Sequence, residues 1–452
     1  MLGQPFLNLS ISVAALLDTF VVICGAIMLY RYARLTAVHP GFVYLAYHVM
    51  FVTFRLYSVW AGSPTLFSHW RGALRVTEGE IAWAGVLSDL AFLSMTVAFV
   101  LCSRRDQRRN VIPSLSEWSS RLLSERVLLA VSAIAFPIGI IAVLAAGRLP
   151  IGENLNIDLG QWSTSSWVVV TQIWPILVLL GLIYYYGFRR ILVIPTLMLL
   201  ALMAIQGYDR FRVILPVIFL LITWQTRTGH RWPTKWMVAS LLCFGLISFP
   251  MKQMGSMIRT GEPLSDVIDF GKQSLGDVFR GASDDQLFLD MFASVVWLVD
   301  ESGKHFYGTM YYPLLAMPIP RQIWPEKPPL NWYWSEINNP ARPMREAGMI
   351  ATLPGESYAN FGLSGVLLVP FVAAYCLGVM YFSAMRRSYF SVYRFINVIL
   401  ACSLVQIYRD GLISAVVFPV VNMMPLTAVA VLSLVWKTRQ RTVLRPSPVV
   451  RA

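Results

Sequence analysis

"LPGESYANFGLSGVLLVPFVAAYCLGVM" occupies residues 353–380. No Asp, Glu, Lys or Arg occurs between Glu356 and Arg386. A run of about 20 apolar residues is what an α-helix needs to cross ~30 Å of hydrocarbon. This stretch therefore reads as a membrane span starting near Gly362, with a polar phrase at its mouth. Similar runs recur along the whole 452-residue chain. Hydrophobic residues make up 56% of it and charged residues 13%, about half the charged share of a soluble domain. The pattern predicts an all-α polytopic integral membrane protein. A β-barrel would show short alternating segments instead.

Eleven spans are expected, at about 9–30, 41–61, 81–102, 126–146, 166–186, 191–206, 211–225, 236–250, 362–383, 395–409 and 414–436. The first is expected to stay as a span, since it is too long for a signal-peptide core and has no basic stretch before it. Cationic side chains set orientation. With the N-terminus outside, the inside segments hold 21 Lys and Arg and the short outside loops hold 6. The C-terminus then lies inside. The expected organisation is helices 1–8 over 1–250, one large external loop over 251–361 forming a cap, helices 9–11 over 362–436, and a basic tail over 437–452. The net charge of +13 fits basic cytoplasmic loops against anionic lipid, and no nucleic-acid partner is expected. The five cysteines lie in or beside apolar runs, which suits small core residues.

The large loop combines a helical-looking segment (284–301) with a Tyr-, Trp- and Pro-rich stretch suited to a membrane interface. Its cations run against the positive-inside bias, and an anionic ligand would offset them. Arg210 and Arg212 in "GYDRFRVILP", Arg321 and Lys327 in "MPIPRQIWPEKPP", and Arg409 in "YRDG" are the candidates for holding one. Arginine offers a planar fork of donors that matches phosphate oxygens in pairs. Five prolines around Arg321 and Lys327 stiffen that segment. Glu356 is a candidate general base, with Asp410 next in line. It could equally act as a helix-end partner. Tyr358 and Asn360 are candidates for sugar hydroxyls. Arg55 and His48 share a face of span two, and Asp18 and Asp89 lie on spans one and three. Intramembrane charges usually pair, so Arg55 is expected to pair with Asp18 or Asp89, or else to reach the ligand cavity. No nucleotide, zinc-protease, CxxC or GxSxG motif occurs, and the five histidines show no metal-ligand spacing. No cofactor and no metal are expected.

The architecture, together with "IPRQIWPEKP", "GESYANFG" before a span and "GYDRFRVILP" at the start of one, resembles the O-antigen polymerases (oligosaccharide repeat-unit polymerases). The sharp motifs cover about residues 207–216, 318–328 and 353–365. The resemblance implies a C-type glycosyltransferase-like fold in the bacterial inner membrane, with a periplasmic N-terminus and a cytoplasmic C-terminus. It implies polymerisation of undecaprenyl-pyrophosphate-linked repeat units into O-antigen or exopolysaccharide at the periplasmic face. Substrate-binding residues would be Arg210, Arg212, Arg321, Lys327, Tyr358, Asn360, Arg409 and Arg55, and catalytic residues Glu356 and Asp410. A chain-length regulator and a flippase are the expected partners, besides the bilayer. The chain departs from some members in lacking a repeated arginine motif in two separate loops. Two alternatives stand beside this reading. One is an O-antigen ligase, which would use an external histidine (His69 or His305). The other is a transporter or flippase of lipid-linked sugar, which would not need a rigid cap and would more often show internal repeats.

Overall fold

The computed structural model describes residues 9–33, 36–63, 76–108, 122–146, 170–205, 210–230, 262–279, 287–316, 323–328 and 351–436, with single or short positions between 232 and 257 and at 332, 333 and 336. Those residues are mostly helical and form no named strand. In chain order the helices are α1 (Ile11–Tyr32), α2 (Pro40–His48), α3 (Phe54–Trp60), α4 (Glu78–Arg108), α5 (Glu125–Ala146), α6 (Trp174–Tyr186), α7 (Arg190–Ile205), α8 (Arg210–Thr228), α9 (Leu264–Phe279), α10 (Phe288–Ser302), α11 (Tyr312–Ala316), α12 (Leu353–Met385), α13 (Val392–Asp410), α14 (Leu412–Val417) and α15 (Met424–Val435). A π-helical turn, Val49–Thr53, joins α2 to α3, and a second, Phe418–Asn422, follows α14.

Among the described residues, five units are long and apolar enough to cross a membrane: α1, the α2–α3 unit, α4, α5 and α12. A sixth is counted if the pair Leu412–Asn422 and Met424–Val435, bent by 86°, is one span. The protein is thus an α-helical, multi-pass membrane protein. The expected spans near 166–186, 191–206 and 211–225 correspond to shorter apolar helices. Most of the expected span 236–250 lies outside the described residues.

Local chemistry sets the helix starts. Ser10 accepts from the Val13 amide at the head of α1. His39 Nδ1 accepts from the Gly41 amide ahead of α2, whose first residue is Pro40. At α4, Thr77 and Glu80 form a reciprocal capping box, with Glu80 accepting from the Thr77 amide at 2.7 Å and Thr77 accepting back at 3.2 Å. α4 lies at the centre, packed mainly against α12 and α1. Close approach there needs small residues. A β-carbon on Gly25 would come within 2.3 Å of the Phe92 ring, and one on Gly378 within about 3 Å of Cys102.

One expectation is corrected by a pairing. Arg55 bonds neither Asp18 nor Asp89. Its Nε and Nη2 donate to the two oxygens of Asp290 on α10, at 2.7 and 2.8 Å. Both residues are fully buried. α10 comes from the expected external loop, so part of that loop is anchored inside the bundle. Phe292, Ala293 and Val296 of α10 share an apolar cluster with α1, α3 and α4. His48, a little under two turns below Arg55, takes the partners expected for Arg55, at 2.8 Å from Asp18 and 3.2 Å from Asp89.

A buried bidentate pair is costly to break and cheap to replace whole. Arg55→Met should therefore lower stability by about 3–5 kcal/mol, because it strands a buried carboxylate. The double change Arg55→Met/Asp290→Leu should recover most of that loss. Thermal unfolding of the detergent-solubilised variants reads both, and a double variant no better than the single would refute the pairing as the cause.

Candidate functional site

The opening phrase, expected as a loop, is helical. α12 starts at Leu353, with Thr352 accepting from the Gly355 amide at 3.2 Å and Pro354 in the first turn, where its missing N–H costs nothing. The helix then breaks at Gly362, whose φ of 61° and ψ of −146° few other residues tolerate. A helix of 33 residues is about 50 Å long, well beyond the ~30 Å of hydrocarbon. Residues 353–361 are therefore a separate helical segment at one end of the bundle.

Glu356 sits in this segment and is buried. Its Oε1 accepts from the Leu412 amide at 3.1 Å. Leu412 follows Gly411, where α13 ends and α14 begins. Gly411 has φ of 92°, and a β-carbon there would stand 1.9 Å from Glu356 Oε2. The Tyr311 hydroxyl also faces this carboxylate. Asp410 is close enough to act on it electrostatically. Arg409 Nε stands 3.3 Å from Asp410 Oδ1, and its guanidinium lies 5.2 Å above the Phe288 ring. Gln406 donates to the other oxygen of Asp410. The structure thus brings together Glu356, Asp410 and Arg409, three of the residues singled out in the sequence.

Asn360 is also here, but its amide is committed. Its Oδ1 accepts from the Gly308 amide at 2.8 Å and its Nδ2 donates to the Glu356 carbonyl at 2.9 Å. Together with Phe306 N to Ala359 O and Tyr307 N to Asn360 O, these bonds lock the 306–310 turn onto α12. Asn360 therefore shapes the site from within, in place of the expected contact with a sugar. Tyr358 faces outward from the same segment and donates to Asp300 at 2.6 Å. Burial pushes the Asp300 carboxyl up, while the Tyr358 hydroxyl and the nearby His305 pull it down. His305 lies against Gly362 and Tyr358.

The remaining expectations are placed as follows. Arg55 is held by Asp290. Lys327 is half-buried at the end of a mostly exposed turn, its amide bonded to the Trp324 carbonyl. Arg210 and Arg212 fall in the first turn of α8. Arg321 lies outside the described residues, as does His69. Sequence reasoning missed Tyr311, Asp300 and the role of Gly411. Only Gly411 left a signal, since "RDG" at the end of a span reads as a helix-terminating glycine. Comparison with protein-family models, with curated proteins and with solved structures returns no match.

Gly411→Ala tests the contact that closes the site. The added methyl meets the Glu356 carboxylate and the backbone is strained as well, so a loss of several kcal/mol is expected. Gly62 has φ of 91° and open space around it, so Gly62→Ala should cost only about 1–2 kcal/mol of strain. Melting temperatures of the two variants, measured side by side, check this; equal losses would mean the Glu356 contact contributes nothing.

Proposed function

We propose that the protein is a membrane glycosyltransferase that polymerises undecaprenyl-pyrophosphate-linked oligosaccharide repeat units into a surface polysaccharide at the periplasmic face of the bacterial inner membrane. In this reading the fold is C-type glycosyltransferase-like, with about eleven spans, the N-terminus periplasmic and the C-terminus cytoplasmic. The observation that carries the reading is Glu356. This carboxylate is held beside Asp410 and Tyr311, with Arg409 paired to Asp410, at the end of the bundle where α10 and the 306–310 turn pack on the head of α12.

The chemistry needs three things. The bond between the anomeric carbon of the donor glycan and its pyrophosphate must break. An acceptor hydroxyl oxygen must bond that carbon. The hydroxyl proton must go to a base. Pyrophosphate leaves well once its charge is matched by preorganised cations. Arg409 and the arginines of the expected cap, Arg321 above all, are assigned that role, with Arg210, Arg212 and Lys327. Glu356 is assigned the proton, with Asp410 as the substitute. Tyr358, half-buried and bonded to Asp300, is assigned to the sugars. The donor is already activated, so no nucleotide site is required. A chain-length regulator and a flippase are the proposed partners.

One observation favours a second reading. His305 lies against Gly362 and Tyr358, within electrostatic reach of Asp300. An O-antigen ligase, which moves the same donor onto lipid A core, would place its base there.

Glu356→Gln separates chemistry from architecture. The amide oxygen of Gln can still accept from Leu412, so the fold should hold. A general base is worth roughly 10²–10⁴ in rate. Single repeat units on lipid should therefore replace the long ladder on a gel, at normal protein level. A ladder of normal length moves the base elsewhere. Long polymer that stays lipid-linked in a His305→Ala strain, where the parent attaches it to core, would instead select the ligase.

Arg321→Ala should abolish polymer, and Arg321→Lys should rescue poorly because the paired donors are lost. Full rescue by Lys would leave only a point charge as the requirement. Phosphatase fused after residue 300 should be active and fused after 440 inactive; the reverse would remove the periplasmic assignment altogether.

A further inference from the structure

Three spans each send one polar side chain to a common point. Asp18 comes from α1, His48 from α2 and Asp89 from α4. His48 Nε2 stands 2.8 Å from Asp18 Oδ1 and 3.2 Å from Asp89 Oδ1, and all three residues are at most 3% exposed. One ring nitrogen carries at most one hydrogen, yet two carboxylates face it. The second oxygens, Asp18 Oδ2 and Asp89 Oδ2, are buried with no partner. The nearest cation along α2–α3, Arg55, is bonded in bidentate fashion to Asp290. Two carboxylates and one imidazole thus share a buried point at membrane depth, where unmatched charge is expensive.

We propose that Asp18, His48 and Asp89 bind one divalent transition-metal ion of the Zn²⁺ or Mn²⁺ class. A divalent ion with a neutral imidazole and two carboxylates sums to zero charge. It would also engage the two carboxylate oxygens left without partners. One nitrogen and two oxygen ligands suit these ions. The ligand atoms lie within 4.8 Å of one another. A tetrahedral ion bonded at about 2.1 Å sets neighbouring ligands about 3.4 Å apart. The two His48–carboxylate separations, 2.8 and 3.2 Å, need to open by well under 1 Å. The ring of His48 is held for the purpose, stacked at 4.9 Å on Phe92. His48, Ser88, Tyr44 and Tyr47 also line a cavity with about 20 Å³ for water-sized molecules. That is room for roughly one water beside His48. Pro354 and Thr352 line the same cavity, which connects His48 to the head of α12. Because each ligand comes from a different span, no motif spacing in the sequence marks the site. This proposal is independent of the polymerase reading. On binding, the proton between His48 and the carboxylates is released to solvent, since the ligands bind deprotonated.

The test uses the full-length protein in detergent, stripped with chelator and then equilibrated with Zn²⁺ alone. Elemental analysis after desalting should find one ion per chain, with about one proton released in weakly buffered solution. His48→Gln and Asp89→Asn should each weaken binding by roughly tenfold or more. Asp269→Asn, which alters an exposed carboxylate paired with Lys272, should leave it unchanged. Should the core variants fail to fold, Mn²⁺ in the unaltered protein provides the second measurement. Pulsed electron paramagnetic resonance should then show coupling to the ¹⁴N of one imidazole. Failure of the unaltered protein to retain an ion overturns the proposal and leaves a buried proton as the shared charge. Unchanged binding in His48→Gln, or a Mn²⁺ signal without nitrogen coupling, also overturns it.

Discussion

Broken helices are the constraint on which this architecture turns. Within or near a bilayer, each backbone amide freed by a break must find a partner inside the protein. The chain breaks at Gly362 in α12 and at Gly411 between α13 and α14. Glu356 answers the second break by accepting from Leu412, and it does so from the short helical segment that the first break creates. Thr352 starts that segment and Asn360 fastens the 306–310 turn beneath it. Two left-handed glycines and three polar side chains therefore define one end of the bundle. Changing any of them moves several elements at once.

Buried charge ties the same region to the spans. Arg55 and Asp290 join α3 to α10, and the apolar residues of α10 complete a cluster with α1, α3 and α4. The loop that hydropathy leaves outside the membrane is thus held by an ion pair at α10. The net gain in stability from such a pair is small, because desolvation offsets much of the attraction. What it supplies is register. Only one rotation of α10 places Asp290 opposite Arg55, and that rotation aligns Phe288 beneath Arg409.

Much of the class was legible in the sequence, for a simple reason: membrane spans are specified by length and apolarity, which are local. The Thr77–Glu80 cap is local too, three residues apart in the chain. The start of α12 was misplaced by nine residues, because "GESYANFG" is polar enough to suggest a loop. Its helicity depends on burial against the 306–310 turn and on Leu412, contacts about 50 residues away along the chain. The partner of Arg55 was misread for the same reason. Hydropathy places Asp18 and Asp89 in neighbouring spans and Asp290 in a loop, so proximity in depth favours the wrong pair. Tyr311 and Asp300 carried no local signal, since each acquires its meaning only by touching α12.

Glu356 shows how one side chain can belong to both accounts. As a helix-end partner it needs only an acceptor oxygen aimed at Leu412. As a proton acceptor it needs a second oxygen that the helix end does not use. Oε1 takes the Leu412 amide, and Oε2 lies against the α-carbon of Gly411, where any larger residue would displace it. The glycine is required by its left-handed backbone and again by the room the carboxylate occupies.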